Sequence, residues 1–560
     1  MKTTVLPLLL LLCAASPLFA QTDDPVETRI YQTKRLPNGS PILDGHVDDP
    51  QWEAVDWSGD FIQRDPTDGD PPSQPTEFKV LYDDDALYFA IRAHDDPEQV
   101  TSMLARRDWF PGDWVEVNID SYGDNRTAFS FTLSLSGTRG DEFISNDGSN
   151  WDGSWDPVWA GATQMDNQGW TAEMRIPLSQ LRFSSEELQT WGLQVQRRLY
   201  REEERSTWQR IPKDTTGWVS QFGELRGIQG LKPSQRVELM PYAVTKAESF
   251  EKIEGDPFQD GSRSALTGGL DGKIGVASDL TLDFTINPDF GQVEADPSEV
   301  NLTAFETYFS ERRPFFVEGN NIFQFRLAPA ITGGHFAQDD LFYSRRIGKR
   351  PSYWPDLTDD ESLDQPDNTS ILGAFKLSGK TAGGTSIGVL ECVTAEERAE
   401  IDLAGNRRQK TVEPRTNYFV GRVQQDFREG DTQLGAMVTM VHRNIKDEHL
   451  DYLRRQAYAG GVDFSHYFLD RNFRVDANVL ASHLKGSAEA IYEVQTSPAH
   501  YYQRPDNDHV NLDPDATTLN GYAASVRVRR TSNNSSLRCE MNNAWRSAGF
   551  EINDLGYMRR

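Results

Sequence analysis

The chain has 560 residues, with 86 acidic against 57 basic side chains and a formal net charge of −29 at pH 7. That excess argues against nucleic acid as a partner, which needs a basic surface, and is compatible with cation binding and a secreted or cell-envelope life. The length allows roughly two to four domains, and a mean hydropathy of −0.61 excludes a bundle of membrane-crossing helices.

The only long apolar run comes first: Lys2, then Val5 to Leu12, then Ala14 to Ala20. One positive charge, a short apolar region and Ala20 before Gln21 predict a cleaved export signal over residues 1–20. Leu18, three residues before the cut, is larger than such sites prefer. Cys13 opens a lipoprotein alternative, which the bulky Leu12 before it weakens. After cleavage only Cys392 and Cys539 remain, so one bridge is allowed but there is no disulfide framework. Residues 21–38 are polar and are expected to be a loose lead-in.

From residue 39 to about 229 the chain is rich in Trp, Asp and short alternating runs. "TEFKVLYDDDALYFAIRAHD" predicts two strands, one alternating Phe78, Val80 and Tyr82, the other running from Leu87 to Ala93. Asp83, Asp84 and Asp85 form the turn between them. "DWVEVNIDSY", "RTAFSFTLSLSG", "GWTAEMRIPLSQL" and "WGLQVQRRLYR" complete a set of short antiparallel strands that predicts a β-sandwich.

Beyond Leu231 the alternation lengthens. Leu266, Leu270 and Ile274 share a face opposite Thr267, Asp271 and Lys273. Leu280, Leu282, Phe284 and Ile286 oppose Thr281, Asp283 and Thr285. Leu434 to Met440 repeats the pattern, as does Phe473 to Val479 against Arg474, Asp476 and Asn478. Strands of about ten residues with one apolar and one polar face predict a transmembrane antiparallel β-barrel in the outer membrane, its apolar face on lipid. A second soluble sandwich or propeller is the alternative. About a dozen candidate strands follow Leu231, and the chain stops at "NDLGYMRR", so the expectation includes an incomplete barrel.

Between two of these strands lies "NPDFGQVEADPSEVNLTAFETYFSERRPFF", residues 287–316. It joins a proline-broken acidic stretch, a helix-prone "NLTAFETYF" and two adjacent arginines. Residues 287–350 are read as an insertion plugging the lumen, with Glu306 and Glu311 pairing with Arg312 and Arg313 while Phe315 and Phe316 wedge against the wall. An ordinary loop is the alternative.

Two segments carry a resemblance. "PILDGHVDDPQWEAVDWSGDFIQRDPTDGDPPSQPTEFKVLYDDDALYFAIRAHDDPE" resembles the start of a carbohydrate-binding family 9 module, a β-sandwich also appended to xylanases. The 287–316 stretch, with "LFYSRRIG" at 341–348, looks like the signature of a bacterial DUF5916-type family, in which such a module precedes a large outer-membrane barrel. The resemblance implies a module over 39–229 and a barrel domain over 230–560.

Sugars stack on aromatic faces while carboxylates and amides take their hydroxyls. Trp170 and Trp191 read as core and Trp52 as an anchor of the amino-terminal turn. Trp109 sits in the polar turn "RRDWFPGD" ahead of a strand bearing Glu116; Trp151 and Trp155 lie in the Gly/Asp loop "NWDGSWDPVW". Trp208 follows the charged "REEERS". The resemblance implies a ligand held between two tryptophans with polar neighbours: Trp109 is placed similarly to one, and Trp208 fits the late position of the other. Packing is the alternative for each. Asp83, Asp84, Asp85, Asp95 and Asp96 supply oxygens that could hold a structural calcium, as some family 9 modules do; solvated turns are the alternative.

None of the serine-hydrolase, zinc, phosphate-loop or dinucleotide patterns occurs, and no carboxylate pair stands out as a glycosidase pair. The function expected first is glycan binding, with an oligo- or polysaccharide and membrane lipid as partners and barrel-mediated uptake or anchoring. The alternatives are a hydrolase of O-glycosyl bonds that uses the sandwich for targeting, and an envelope assembly factor that binds a protein partner instead of sugar.

Overall fold

The computed structural model describes residues 26–36, 39–153, 155–184, 186–231, 237–276, 280–288, 306–327, 339–381, 383–428, 430–506, 510–531 and 538–558. The expected signal peptide and residues 301–305 of the helix-prone stretch lie outside them. The protein is all-β, with short helices at Pro314–Val317 and Ala488–Thr496 among the described residues.

Residues 30–229 form a two-sheet sandwich. One sheet runs in the order Ile30–Gln32, Gly223–Gln229, Leu188–Leu199, Trp114–Asp120, Ala128–Ser134, Arg139–Ser145 and Asn150–Asp152. Glu204–Thr207 joins it beside Leu188–Leu199 and pairs in turn with Ile62–Asp65. The other sheet runs Ala160–Asp166, Gly169–Pro177, Ala86–His94, Thr76–Tyr82 and Lys34–Arg35. The core lies between them, where Phe78, Phe89, Val117, Phe131, Trp170 and Trp191 are sealed from solvent. Each large side chain so buried contributes about 1.5–3 kcal/mol.

The expected loose lead-in is corrected here. Ile30–Gln32 pairs parallel with Gly223–Gln229 and Lys34–Arg35 pairs parallel with Thr76–Tyr82, so this short segment clasps both sheets. Its polarity misled because only Tyr31, Thr33 and Leu36 turn inward.

Among the described residues the second half is built on an antiparallel sheet of eleven strands. It runs through Val237–Ser249, Ser262–Gly275, Leu280–Ile286, Ile371–Lys380, Thr385–Thr394, Thr416–Phe427, Thr432–Arg443, Gln456–Phe468, Phe473–Lys485, Thr518–Arg530 and Glu540–Arg546. Every step but two links strands consecutive in sequence. The exceptions are the 287–370 insertion and a small three-stranded sheet of Glu361–Asp364, Glu397–Leu403 and Asn406–Glu413.

Among the described residues the first and last strands do not pair, so the sheet does not close into a barrel there. The sheet is nonetheless strongly curled. One cavity of about 260 Å3 is lined by residues from seven successive strands, from Lys380 to Arg527. Laid flat at about 4.8 Å spacing, those strands would stretch roughly 29 Å from first to last.

The outward face of this sheet exposes large apolar side chains, while the covered face buries charged and polar ones beside apolar Leu390, Val420 and Leu480. Leu266, Leu434 and Val479 are 76%, 50% and 58% exposed, whereas Asp283, Arg422 and Asn478 on the opposite face are 6%, 5% and 8% exposed. The covered face is packed by the insertion and by the C-terminal segment, through Phe316, Phe323, Leu341, Phe550 and Leu555.

The helix expected over "NLTAFETYF" is absent from its described part, because residues 306–313 have no helical hydrogen bonds. Glu311 does pair with Arg313, at 2.6 Å, and that guanidinium also donates to the carbonyls of Ser344 and Ile347. Glu306 instead pairs with Arg346 of "SRRIG", at 2.7 Å, which corrects the expected partner. Arg312 meets Glu311 through its backbone N–H. Phe316 is buried, with the Arg313 guanidinium 4.3 Å from its ring centre, and Phe315 packs beside it.

Candidate binding site

In the sandwich's larger sheet, the odd-numbered residues 115, 117, 119, 129, 131 and 133 face the core. The outward face should therefore be solvated, yet Glu116, Asn118, Ser130, Thr132, Gln194 and Gln196 are all buried there. Glu116 is the hub. Its carboxylate accepts from Asn118 Nδ2 at 2.6 Å, from Gln196 Nε2 at 2.6 Å and from Thr132 Oγ1 at 3.2 Å. Burial raises its pKa despite these donors.

Several polar atoms around this hub are buried without a hydrogen-bond partner: Gln196 Oε1, Asn118 Oδ1, Ser130 Oγ and the Trp218 Nε1 donor. Unsatisfied groups gathered in one place are costly, about 1–3 kcal/mol each, and are found where a ligand or water completes the network.

A cleft of about 880 Å3 opens over this face. One rim carries Phe110 and Trp114, edge to face at 6.1 Å, with Arg205 over the Trp114 ring at 5.6 Å. The other rim carries Trp151 and Trp218, 6.1 Å apart, with Arg64 over the Trp218 ring at 5.0 Å. Two glycines make room for these rings. A Cβ at Gly140 would lie 2.1 Å from the Phe110 ring, and one at Gly148, whose φ is +82°, would lie 2.3 Å from Trp218 Cβ. Glu142 also lines the cleft, and burial followed by the neighbouring charge of Glu116 pushes its pKa up to about 7.

Of the residues expected to bind sugar, Glu116 and Trp151 lie together in this cleft. Trp109 is 69% exposed but does not line it; the next residue, Phe110, does. Trp155 packs on Phe129 and Phe131 and lines the separate cavity between sandwich and sheet. Trp208 is corrected to core. It is 1% exposed, meets Phe78 edge-on at 5.4 Å and donates its indole N–H to Ser58 Oγ, leaving no face for a ligand.

The calcium expectation also changes. Asp83, Asp84 and Asp85 precede Ala86–His94 while Asp95 and Asp96 follow it, so the two sets sit at opposite ends of a nine-residue strand about 30 Å long. Asp83 accepts from the N–H groups of Asp85 and Ala86, Asp84 pairs with Arg35, and Asp95 is held by Arg197 and Arg201. Asp96 accepts from the Glu98 N–H and the Gln99 amide. These five residues build turns and ion pairs. Among the described residues, no group of three or more His, Cys, Asp or Glu is placed to hold a metal ion.

Phe110, Trp114, Glu142, Gln196, Arg205 and Trp218 were missed from sequence. A usable signal was present: "VEVNID" and "LQVQ" place Glu116, Asn118, Gln194 and Gln196 on the polar phase of two strands, and a polar phase of amides is an unusual lining for plain solvent.

Two family matches divide the chain in the same way. The family described as "Carbohydrate family 9 binding domain-like" matches residues 42–226. "Domain of unknown function (DUF5916)" matches residues 233–560, and the chain belongs to that family. No curated protein matches the chain. Among solved structures, it is similar to a family 9 carbohydrate binding module from Caldicellulosiruptor kristjanssonii in complex with glucose. Identity there is 20%, with 35% of this chain and 95% of that one covered and a TM-score of 0.27. It is also similar to a protein of Bacteroides uniformis described as a "putative carbohydrate-binding protein", at 11% identity, 36% and 99% coverage and a TM-score of 0.30. A third similarity is to the outer membrane channel DcaP of Acinetobacter baumannii, at 7% identity, 86% and 94% coverage and a TM-score of 0.23.

Proposed function

We propose that this protein is a saccharide-binding protein of the outer membrane, holding its ligand in the cleft over the sandwich's polar face and its second half in lipid. The observation that carries the binding half is the buried pair Glu116 and Gln196, which leaves the Gln196 Oε1 acceptor unpartnered between two pairs of aromatic rings. Rings stack on the apolar faces of a pyranose, and amide and carboxylate oxygens take its hydroxyls. The family 9-like match over residues 42–226 supports the same ligand class.

The apolar outward face of the sheet supports the membrane half. Its outward Leu and Val side chains match a lipid contact, and its inward Asp, Arg and Asn match a filled lumen. In this reading the described stretches 306–327 and 339–347 are a plug, since irregular backbone at membrane depth needs a protein lining. Lys273 reaches Glu318 of that segment at 2.5 Å, and Asn478 and Ser525 donate to its Leu327 carbonyl, so the segment is tied to both sides of the sheet.

The test is titration of the detergent-solubilised chain with soluble oligosaccharides, followed by tryptophan fluorescence. Binding that Trp218→Ala and Gln196→Leu both weaken by at least tenfold is expected. Retained affinity in both variants would move the site elsewhere, and cleavage of the ligand would favour a hydrolase.

A further inference from the structure

The cleft has a second wall, which comes from the other half of the chain. Tyr467, Arg529 and Arg530 line it opposite the sandwich's polar face. With Arg64, Arg205 and Arg538, this gives five arginines against Glu116, Glu142, Asp147 and Glu540. The chain as a whole has 57 basic and 86 acidic residues, so the cleft reverses the overall balance. Asp147 is paired with Arg471, at 2.8 Å, and Glu116 is engaged by three neutral donors.

Arg529 stands apart from its neighbours. Arg474 and Arg527 converge on one carboxylate, each 2.7 Å from Asp476. Arg529 is the third arginine of this group, and among the described residues its Nε is buried with no hydrogen-bond partner. The Nε of Arg530 is likewise unpartnered, although its guanidinium lies 5.9 Å from the Phe473 ring. A guanidinium is always charged and presents a planar fork matched to two oxygens of one anion. A half-buried guanidinium that lines a cleft with its Nε unpartnered is the complement of an acid group on whatever fills it.

Resting on the saccharide reading above, we propose that the cleft takes an anionic saccharide. Its carboxylate or sulfate would meet Arg529, with Arg530 at the strand's end adding positive charge to the same cleft, while its sugar rings lie over Glu116, Gln196 and the Trp151 and Trp218 rings. The site is then shared, with the sandwich reading the sugar and the second half reading the charge. Neither wall alone is selective for both.

The test compares three trisaccharides of equal length on the full chain in detergent: a trigalacturonate, a sulfated galactan trimer and neutral cellotriose. At low salt the anionic ligands should bind at least tenfold more tightly than cellotriose, and the gap should close as NaCl is raised. Whichever of the two anionic ligands binds better identifies the acid group. Arg529→Gln combined with Arg530→Gln should lower anionic affinity about tenfold and leave cellotriose unchanged. Arg529→Lys, which keeps charge but loses the fork, should fall between. The melting temperature of each variant, compared with the parent, separates loss of ligand from loss of fold. Equal or tighter binding of cellotriose, or indifference of the anionic ligands to the arginine variants, overturns the proposal and leaves the saccharide reading standing. Failure of all three ligands to bind overturns both.

Discussion

Tyr31 tests whether the amino-terminal segment is a strand of the sandwich or a loose leader. Its ring stacks on Phe78 at 5.2 Å, its hydroxyl donates to the Asp56 carbonyl at 3.1 Å and it accepts from the Val80 N–H at 3.0 Å. Tyr31→Ala removes a ring that is only 5% exposed, a loss of about 3 kcal/mol for a buried aromatic. It also strands the Val80 N–H in the core, adding about 1 kcal/mol. Tyr31→Phe keeps the ring and should cost about 1 kcal/mol from the hydroxyl alone. Residues 26–231 include both sheets and their core, so that segment should fold by itself and give one cooperative urea transition. With a slope of about 2 kcal/mol per molar urea, Tyr31→Ala should move the midpoint down by about 2 M and Tyr31→Phe by about 0.5 M. A leader outside the fold would leave both within about 0.5 kcal/mol of the parent, and that result would refute the strand assignment.

Trp208→Ala should cost about 3–5 kcal/mol of stability and, where the fold survives, leave saccharide affinity intact; Trp151→Ala should do the reverse, as urea melts and titrations of both will show. Gly148→Ala forces a Cβ onto Trp218 at a positive φ, so it should lower both stability and affinity. Loss of neither would mean that the Trp218 loop adjusts freely. Leu434→Arg decides between lipid and water at the sheet's outward face: in the bilayer midplane it costs about 2–4 kcal/mol, whereas at a water-exposed position it should change stability by less than about 0.5 kcal/mol. Glu142 has a folded pKa raised to about 7 by burial and by Glu116, with Asp108, Asp152 and Asp141 adding to the effect. Its ionised form is therefore disfavoured in the fold, and its contribution to stability is lost as pH rises from about 4.5 through about 7. Urea midpoints at pH 5 and pH 8 should lie closer together in Glu142→Gln than in the parent; an unchanged gap would show that Glu142 does not titrate there.

The all-β fold and the strands were legible because period-2 alternation survives in sequence wherever one face is buried. "TEFKVLY" and "ALYFAIRAH" became adjacent strands where their patterns placed them. What alternation cannot carry is which tryptophan is turned toward a ligand. Trp208 and Trp218 look alike in sequence, each in a polar stretch, yet one is sealed against Phe78 and the other rims the cleft, because long-range packing decides it. The acidic turns were misread for a related reason: five aspartates close in sequence lie at opposite ends of one extended strand. The lead-in was misread because a strand of three residues is too short to show a period. The second wall of the cleft was invisible for the simplest reason. Arg529 lies more than 300 residues from Glu116, and no local pattern joins them.

The cleft sits where the two halves meet, and one carboxylate links its geometry to that junction. Asp147 Oδ1 accepts from the backbone N–H groups of Trp218 and Ser220, at 3.0 and 2.9 Å, and Oδ2 accepts from Ser220 Oγ at 2.9 Å, so it holds the loop that presents Trp218. The same Oδ2 receives Arg471 from the turn after Gln456–Phe468, at 2.8 Å. Nearby, Lys380 bridges Asp124 of the sandwich at 2.6 Å and Asp426 of the sheet at 2.7 Å, and Arg126 donates to the Gly430 carbonyl. These contacts are charge-assisted and largely shielded from water, where such bonds are about twice as strong as neutral ones. A shift of the sheet against the sandwich would pull Arg471 from Asp147 and leave a buried carboxylate without its cation, a change costing about 3–5 kcal/mol. The Trp218 loop is thus anchored to the second half although it belongs to the first. Arg471→Ala should therefore weaken saccharide binding in the full chain, toward the affinity of the isolated sandwich, which lacks that arginine. If the isolated sandwich and the full chain bind a neutral trisaccharide with equal affinity, the clamp does not set the cleft and the two walls act independently.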